Sequence, residues 1–161
     1  MTRRIWRVFH RDFIRDPFDG EGARRVGGRW NSEGVPVVYC AGSLALAVLE
    51  ILVNAESPLY LSMYSAVPAD VDEVLVSRLA EKDIPPDWKE QPTPFKVKKI
   101  GDVWIAAGLT PVLEVPSAVV PLEKNYLINP RHPDFGKIQL GKPVSLPIDQ
   151  RLLNWKKQDN L

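Results

Sequence analysis

The sequence predicts an α+β fold, a single domain built on a mixed or antiparallel sheet with short helices. Three observations carry this. Stretches with strand character are many. Helical stretches are few and short. The connections are rich in proline, with 15 in 161 residues. A doubly wound parallel sheet would instead alternate strands with long amphipathic helices. A chain of this length is most simply one domain with a real core, here expected to span residues 1–161.

The elements follow in order. Ile5 to Phe9 alternates and reads as a strand, with Ile5, Arg7 and Phe9 on one face. Asp16 to Gly28 reads as a glycine-containing loop. Val35 to Cys40 is β-branched and aromatic and reads as a strand entered through Pro36. Ser43 is placed to cap a helix. Leu59 to Val67 and Val71 to Val76 read as strands, and the prolines from Pro85 to Pro94 mark an irregular connection around Trp88. Asp102 to Gly108 reads as a short helix capped by Asp102 and ended by Gly108. Val112 to Val115 and Ala118 to Val120 read as strand pieces joined at Pro116-Ser117. Lys137 to Leu140 reads as a late strand and Asp149 to Trp155 as a closing helix.

Composition removes several classes of function. The net charge of +1 gives no global pull toward nucleic acid or membrane, and neither is expected as a direct partner. Cys40 is the sole cysteine, which excludes an internal disulfide and fits a reducing, cytoplasmic setting. His10 and His132 are not at metal-ligand spacing, so no metal is expected. Gly20-Glu21-Gly22-Ala23-Arg24-Arg25 lacks the third glycine of a dinucleotide fingerprint. There is no P-loop, no Gly-x-Ser-x-Gly elbow, and no histidine or acid cluster of a ribonuclease.

Charge is distributed unevenly. Eight of the eleven arginines lie in the first thirty residues, without a lysine. They fit an anionic ligand, a nucleic-acid or protein interface, or a salt-bridged solvated face. Arg7 and Arg29 stand apart, because apolar or glycine-rich sequence surrounds them.

Nine of the ten residues from Leu44 to Val53 are apolar, and the tenth is Glu50. A helix apolar all round is expected to be buried. An isolated carboxylate there must face a cleft or a cation, because burying it unpaired is costly. A structural ion pair with an arginine is the plainer alternative. Gly27-Gly28 allows close backbone approach before Arg29, Trp30 and Asn31. Trp30 can stack on a ring, or simply fill the core beneath a tight turn. Tyr39 is open to the same two readings, and Ser117 reads equally as a turn residue.

The segments "GGRWNSEGVPVVYCAGSLALAVLE" and "VPSAVVPLEKNYLINPRHPDF", after the opening "IWRVF", resemble the RES domain family of bacterial toxins. The likeness runs from that opening to about Leu140. Arg29, Glu50 and Ser117 match the three residue types for which the family is named, and Tyr39 matches its site tyrosine. The resemblance implies an ADP-ribosyltransferase-like fold and a cleft that takes NAD as substrate. It implies cleavage of NAD by hydrolysis or phosphorolysis, with transfer of ADP-ribose to a protein as the alternative. It also implies a helix-turn-helix antitoxin of the Xre type as partner, in a multimeric toxin–antitoxin complex. In those roles Glu50 stabilises charge on the ribose, Arg29 and Arg7 hold phosphates, Tyr39 stacks on nicotinamide or donates its hydroxyl, and Trp30 meets a ring. Ser117 orients Glu50 or a ribose hydroxyl, and Asn31, Ser43 and Asn129 are expected in the cleft wall. The rival without chemistry is a binding module in which Arg29 and Glu50 form a structural pair.

Overall fold

The computed structural model describes residues 1–154. One eight-stranded sheet organises them. Its strands are β1 (Thr2–His10), β2 (Val38–Ala41), β3 (Tyr64–Asp72), β4 (Val76–Arg78), β5 (Val112–Pro116), β6 (Lys124–Ile128), β7 (Gln139–Leu140) and β8 (Val144–Ser145). The order is β4-β5-β6-β2-β1-β3-β7, with β8 also pairing β3. Only β4 with β5 is parallel, so the sheet is mixed and mostly antiparallel, as the sequence predicts. The helices are α1 (Glu21–Val26), α2 (Leu44–Asn54), α3 (Phe95–Ala107) and α4 (Gln150–Leu153). None of the described helices is long and apolar enough to cross a membrane.

Two layers pack on the sheet. On one face, Trp30, Val97 and Trp104 meet Leu113, Val115 and Leu127, so α3 and the Arg29 turn share a core. Beside them, Leu46 and Ala47 of α2 pack on Val8, Ala41 and Ala66. Ile5, Phe9, Val67, Val71, Val112 and Ile128 belong to the largest cluster. Ser43 caps α2, its Oγ accepting the Leu46 N–H at 3.1 Å.

Several elements differ from the sequence expectation. The Asp16 to Gly28 loop contains α1, ended by Gly27 at φ 73°. Its Glu21–Arg24 pair bridges one turn at 2.8 Å. Residues 35–37 stay outside β2, because Asn31 takes the Val35 carbonyl and Pro36 has no N–H to give the ladder. Pro58–Met63 is a 3₁₀ turn capped by Ser57, so the strand expected from Leu59 begins only at Tyr64. The strand expected over Val71 to Val76 is the end of β3, a 3₁₀ turn at Glu73–Leu75, and the start of β4.

The last helices depart further. α3 begins at Phe95 rather than Asp102, and Asp102 is mid-helix, bonded to Ser32 instead of capping; Gly108 does end the helix at φ 60°. Ala118 to Val120 forms no strand, because the Val119 and Val120 N–H groups turn back onto Ser117 Oγ. The late strand keeps only Gln139–Leu140, behind a 3₁₀ turn at Pro133–Lys137. α4 is capped by Asp149, while the Trp155 end of the expected helix lies outside the described residues. Finally, α2 is not buried all round: Leu49 and Val53 are 42% and 54% exposed on its outer side.

Candidate active site

A cleft of about 1120 Å³ opens beside the Gly27-Gly28 turn, lined by α1, α2, α3 and the segment 89–93. That volume is on the scale of small-molecule sites. Arg7, Arg29, Tyr39 and Glu50 all line it, although 43 positions separate the first from the last. The sheet brings them together: β1 supplies Arg7, β2 supplies Tyr39, and α2 lies over both strands.

Glu50 is held by one oxygen. Ser117 donates its hydroxyl to Oε1 at 2.6 Å, and the Asn125 amide donates to the same oxygen at 2.7 Å. Oε2 has no hydrogen bond among the described residues, and Glu50 is one of the residues that line the cleft. Ser117 is 0% exposed and its Oγ accepts two backbone N–H groups, so its hydroxyl proton has one direction to go. Asn125 lies on β6, opposite Ala41 of β2. Its Oδ1 is buried without a hydrogen-bond partner among the described residues. This amide is absent from the sequence-based site because Lys124–Ile128 carries no alternation: Tyr126, Leu127 and Ile128 are all buried.

Arg29 does not pair with Glu50. Its Nη1 donates to the carbonyls of Trp88 at 2.6 Å and Glu90 at 3.3 Å. Burial lowers its pKa from the ordinary guanidinium value, and the nearby Glu50 charge works against that fall. An arginine stays charged in either case. Nε and Nη2 carry no hydrogen bond among the described residues. Arg7 likewise meets carbonyls, those of Pro17 at 3.1 Å and Tyr39 at 3.4 Å, and burial lowers its pKa. Arg3, Arg4 and Arg24 behave as a salt-bridged surface, paired with Glu73, Asp70 and Glu21.

The tyrosine and its neighbours form the wall beneath. The Tyr39 hydroxyl donates to Asn31 Oδ1 at 2.6 Å and accepts the Trp30 N–H at 3.0 Å. Desolvation holds its pKa above the ordinary phenol value. With the hydroxyl engaged, the ring is what Tyr39 offers the cleft. Gly28 sits so close that a Cβ there would lie 2.6 Å from that hydroxyl.

The remaining expected site residues sit elsewhere. Trp30 is buried and stacks on Trp88 with centroids 5.8 Å apart, so it supports the wall without lining it. Asn31 is buried and ties down the carbonyls of Ala23, Ser32 and Val35. Ser43 caps α2, and Asn129 caps a turn by accepting the Arg131 N–H. Neither lines the cleft. Among the described residues no group of three or more His, Cys, Asp or Glu is gathered as for a metal ion.

Residues 4–149 match the RES domain. The chain belongs to the RES domain family. This RES domain chain is 34% identical over 149 residues to Toxin Res of Yersinia enterocolitica, covering 92% of this chain and 98% of that toxin. It is 38% identical over 158 residues to the Prs ADP-ribosylating toxin of a Sphingobium species, covering 95% and 98% of the two. Its fold is similar to a chain in the crystal structure of the M. tuberculosis MbcT–MbcA toxin–antitoxin complex. There the TM-score is 0.74 at 22% identity, over 91% of this chain and 85% of that one. The RES fold thus carries the mixed-sheet α+β architecture expected from the sequence.

Proposed function

We propose that this RES domain chain is the toxin of a toxin–antitoxin pair and cleaves the nicotinamide–ribose bond of NAD. The observation that carries the reading is the one-sided grip on Glu50, a residue that lines a cleft of dinucleotide size, with Oε1 held by Ser117 and Asn125 and Oε2 without a hydrogen bond among the described residues. Breaking the bond sends its electron pair to nicotinamide, which leaves neutral, and positive charge develops on the ribose. A carboxylate fixed beforehand stabilises that charge without reorganising. Oε2 can accept a ribose hydroxyl at the same time. An acceptor oxygen then bonds to the ribose carbon and gives up its proton. The Tyr39 ring suits the nicotinamide face, and the unspent donors of Arg29 suit a phosphate.

The acceptor is water or phosphate in this reading. The name of the Sphingobium relative, an ADP-ribosylating toxin, favours a second one in which a protein side chain takes the ADP-ribose. The names of the relatives, together with the solved complex, support an antitoxin partner, which we take to be of the Xre helix-turn-helix type.

The test is NAD concentration over time with purified protein, with and without phosphate, beside Glu50→Gln. Loss that needs Glu50 supports cleavage, and dependence on phosphate identifies the acceptor. No loss until a protein extract is added, with label appearing on protein, supports transfer. Equal loss with folded Glu50→Gln overturns the mechanism.

A further inference from the structure

α3 brings one residue to the cleft that the preceding chemistry does not use. Lys98 lines the cavity, and its Nζ lies 3.2 Å from where a Cβ on Gly27 would stand. The ammonium is therefore packed against the Gly27-Gly28 turn, next in sequence to Arg29. Lys98 is half-buried, yet it has no ion pair or hydrogen bond among the described residues. Its helix neighbours differ: Lys96 pairs with Asp87 at 3.0 Å, and Lys99 lies over the Phe95 ring.

The cleft as a whole has the same imbalance. Arg7, Arg29, Lys89 and Lys98 line it against a single acid, Glu50. Glu50 is turned toward Ser117 and Asn125, so it neutralises none of them by contact. An ammonium drawn partly out of water without a counter-charge is costly. The arrangement makes physical sense when an anion completes it. Arg29 alone is a poor candidate for that whole task, because Nη1 is committed to the Trp88 and Glu90 carbonyls.

We infer that Lys98 and the free edge of Arg29 form a phosphate subsite at the Gly27-Gly28 turn, with Lys98 as its point charge. A lysine supplies a compact, rotatable cation, and the guanidinium edge supplies directed donors. The occupant is a phosphate oxyanion. Its source is either the diphosphate of the dinucleotide or a free phosphate acting as acceptor, and only that assignment of source rests on the NAD reading.

Two variants test this, Lys98→Met and Lys98→Arg, with ADP-ribose and inorganic phosphate as the probes in calorimetric titrations. Lys98→Met keeps the apolar stem, so the unliganded protein should melt at or above the parent temperature. Its affinity for one probe should fall by about tenfold or more, the usual weight of a charge-assisted contact. Lys98→Arg should retain most of it. A fall for ADP-ribose assigns the subsite to the diphosphate; a fall for phosphate alone assigns it to the acceptor. The inference is overturned if Lys98→Met binds both probes as the parent does, or if the parent binds neither. Should affinities be unchanged while NAD loss still needs Glu50, only the subsite fails. Should the parent never consume NAD yet bind ADP-ribose through Lys98, the cleavage reading fails and the subsite stands.

Discussion

The Ser117 hydroxyl donates to Glu50 Oε1 at 2.6 Å across 67 positions of sequence, and the same oxygen atom of Ser117 accepts the N–H groups of Val119 and Val120. One buried hydroxyl thus ties the turn after β5 to α2. Ser117→Ala should strip Glu50 of a donor and orphan two N–H groups together. A loss of about 1–3 kcal/mol in stability is expected, read by urea unfolding. NAD consumption should fall about tenfold or more, because Asn125 still holds the carboxylate. An active, fully stable Ser117→Ala protein would contradict the role.

Glu50→Gln keeps size and the apolar packing of α2 while removing the charge. NAD loss should drop by about a hundredfold or more, the scale for a preorganised electrostatic contact. The melting temperature should stay close to the parent value, since Glu50 has no ion pair to lose among the described residues. Cleavage surviving in the folded variant would refute the catalytic assignment.

Asn125→Asp places a second carboxylate against Oε1, where the amide now donates at 2.7 Å. Like charges so close cannot both stay ionised at low cost. Activity should therefore be depressed near neutral pH, and partly restored as the medium is acidified. A pH–rate profile with the parent shape would rule this out.

Cys40 sets an alkaline limit on stability. Burial raises its thiol from 9.0 to about 12, with Arg7 opposing. A pKa raised in the folded state favours folding at pH values below the unfolded pKa, and that contribution drains away as pH climbs toward the folded one. Chemical unfolding should show stability falling from about pH 9 upward. Cys40→Ala should flatten that slope even if it lowers stability throughout. An unchanged slope would assign the alkaline loss to the tyrosines, since Tyr39 and Tyr126 are also held above their ordinary value.

Gly101 faces the Trp30 carbonyl so closely that a methyl group there would collide with it. Gly101→Ala should force α3 off the Arg29 turn. A cost of at least about 2 kcal/mol follows from overpacking against backbone, or roughly 4–8 °C in melting temperature at this chain size. Differential scanning calorimetry reads the shift, and a melting temperature within a degree of the parent would show that the helix can yield.

Much of the frame is legible in the residues themselves. β1 alternates, Ser43 caps α2 as its place before the apolar run announces, though it does not line the cleft, and Gly108 stops α3 where a left-handed residue is needed. Where the reading departs, a local signal was overruled by a distant partner. Asp102 looks like a cap, but its carboxylate takes the Ser32 N–H at 2.9 Å and the Ser32 hydroxyl at 2.6 Å. The apolar spacing Val97, Ile100, Gly101, Trp104 does announce the longer helix, beneath the distraction of Pro94 and three lysines. Arg29, Tyr39 and Glu50 are legible from their motifs and line the cleft, whereas Asn125 and Lys98 depend on the register of β6 and on α3 starting at Phe95. Trp30 and Asn31 show the converse: motif neighbours of Arg29, they face inward, Trp30 into the core shared with α3 and Asn31 onto the carbonyls of Ala23, Ser32 and Val35.

The position of β6 has a temporal meaning. It enters the sheet between β2 and β5, so the last strand to join the middle is made after its neighbours. Ribosomes deliver the chain from its N-terminus. Arg29, Tyr39 and Glu50 emerge early, but both donors, Ser117 and then Asn125, are in hand only when residue 125 has left the exit tunnel. A growing chain therefore carries its carboxylate ungripped until β6 is made, and the grip closes only as the middle of the sheet fills.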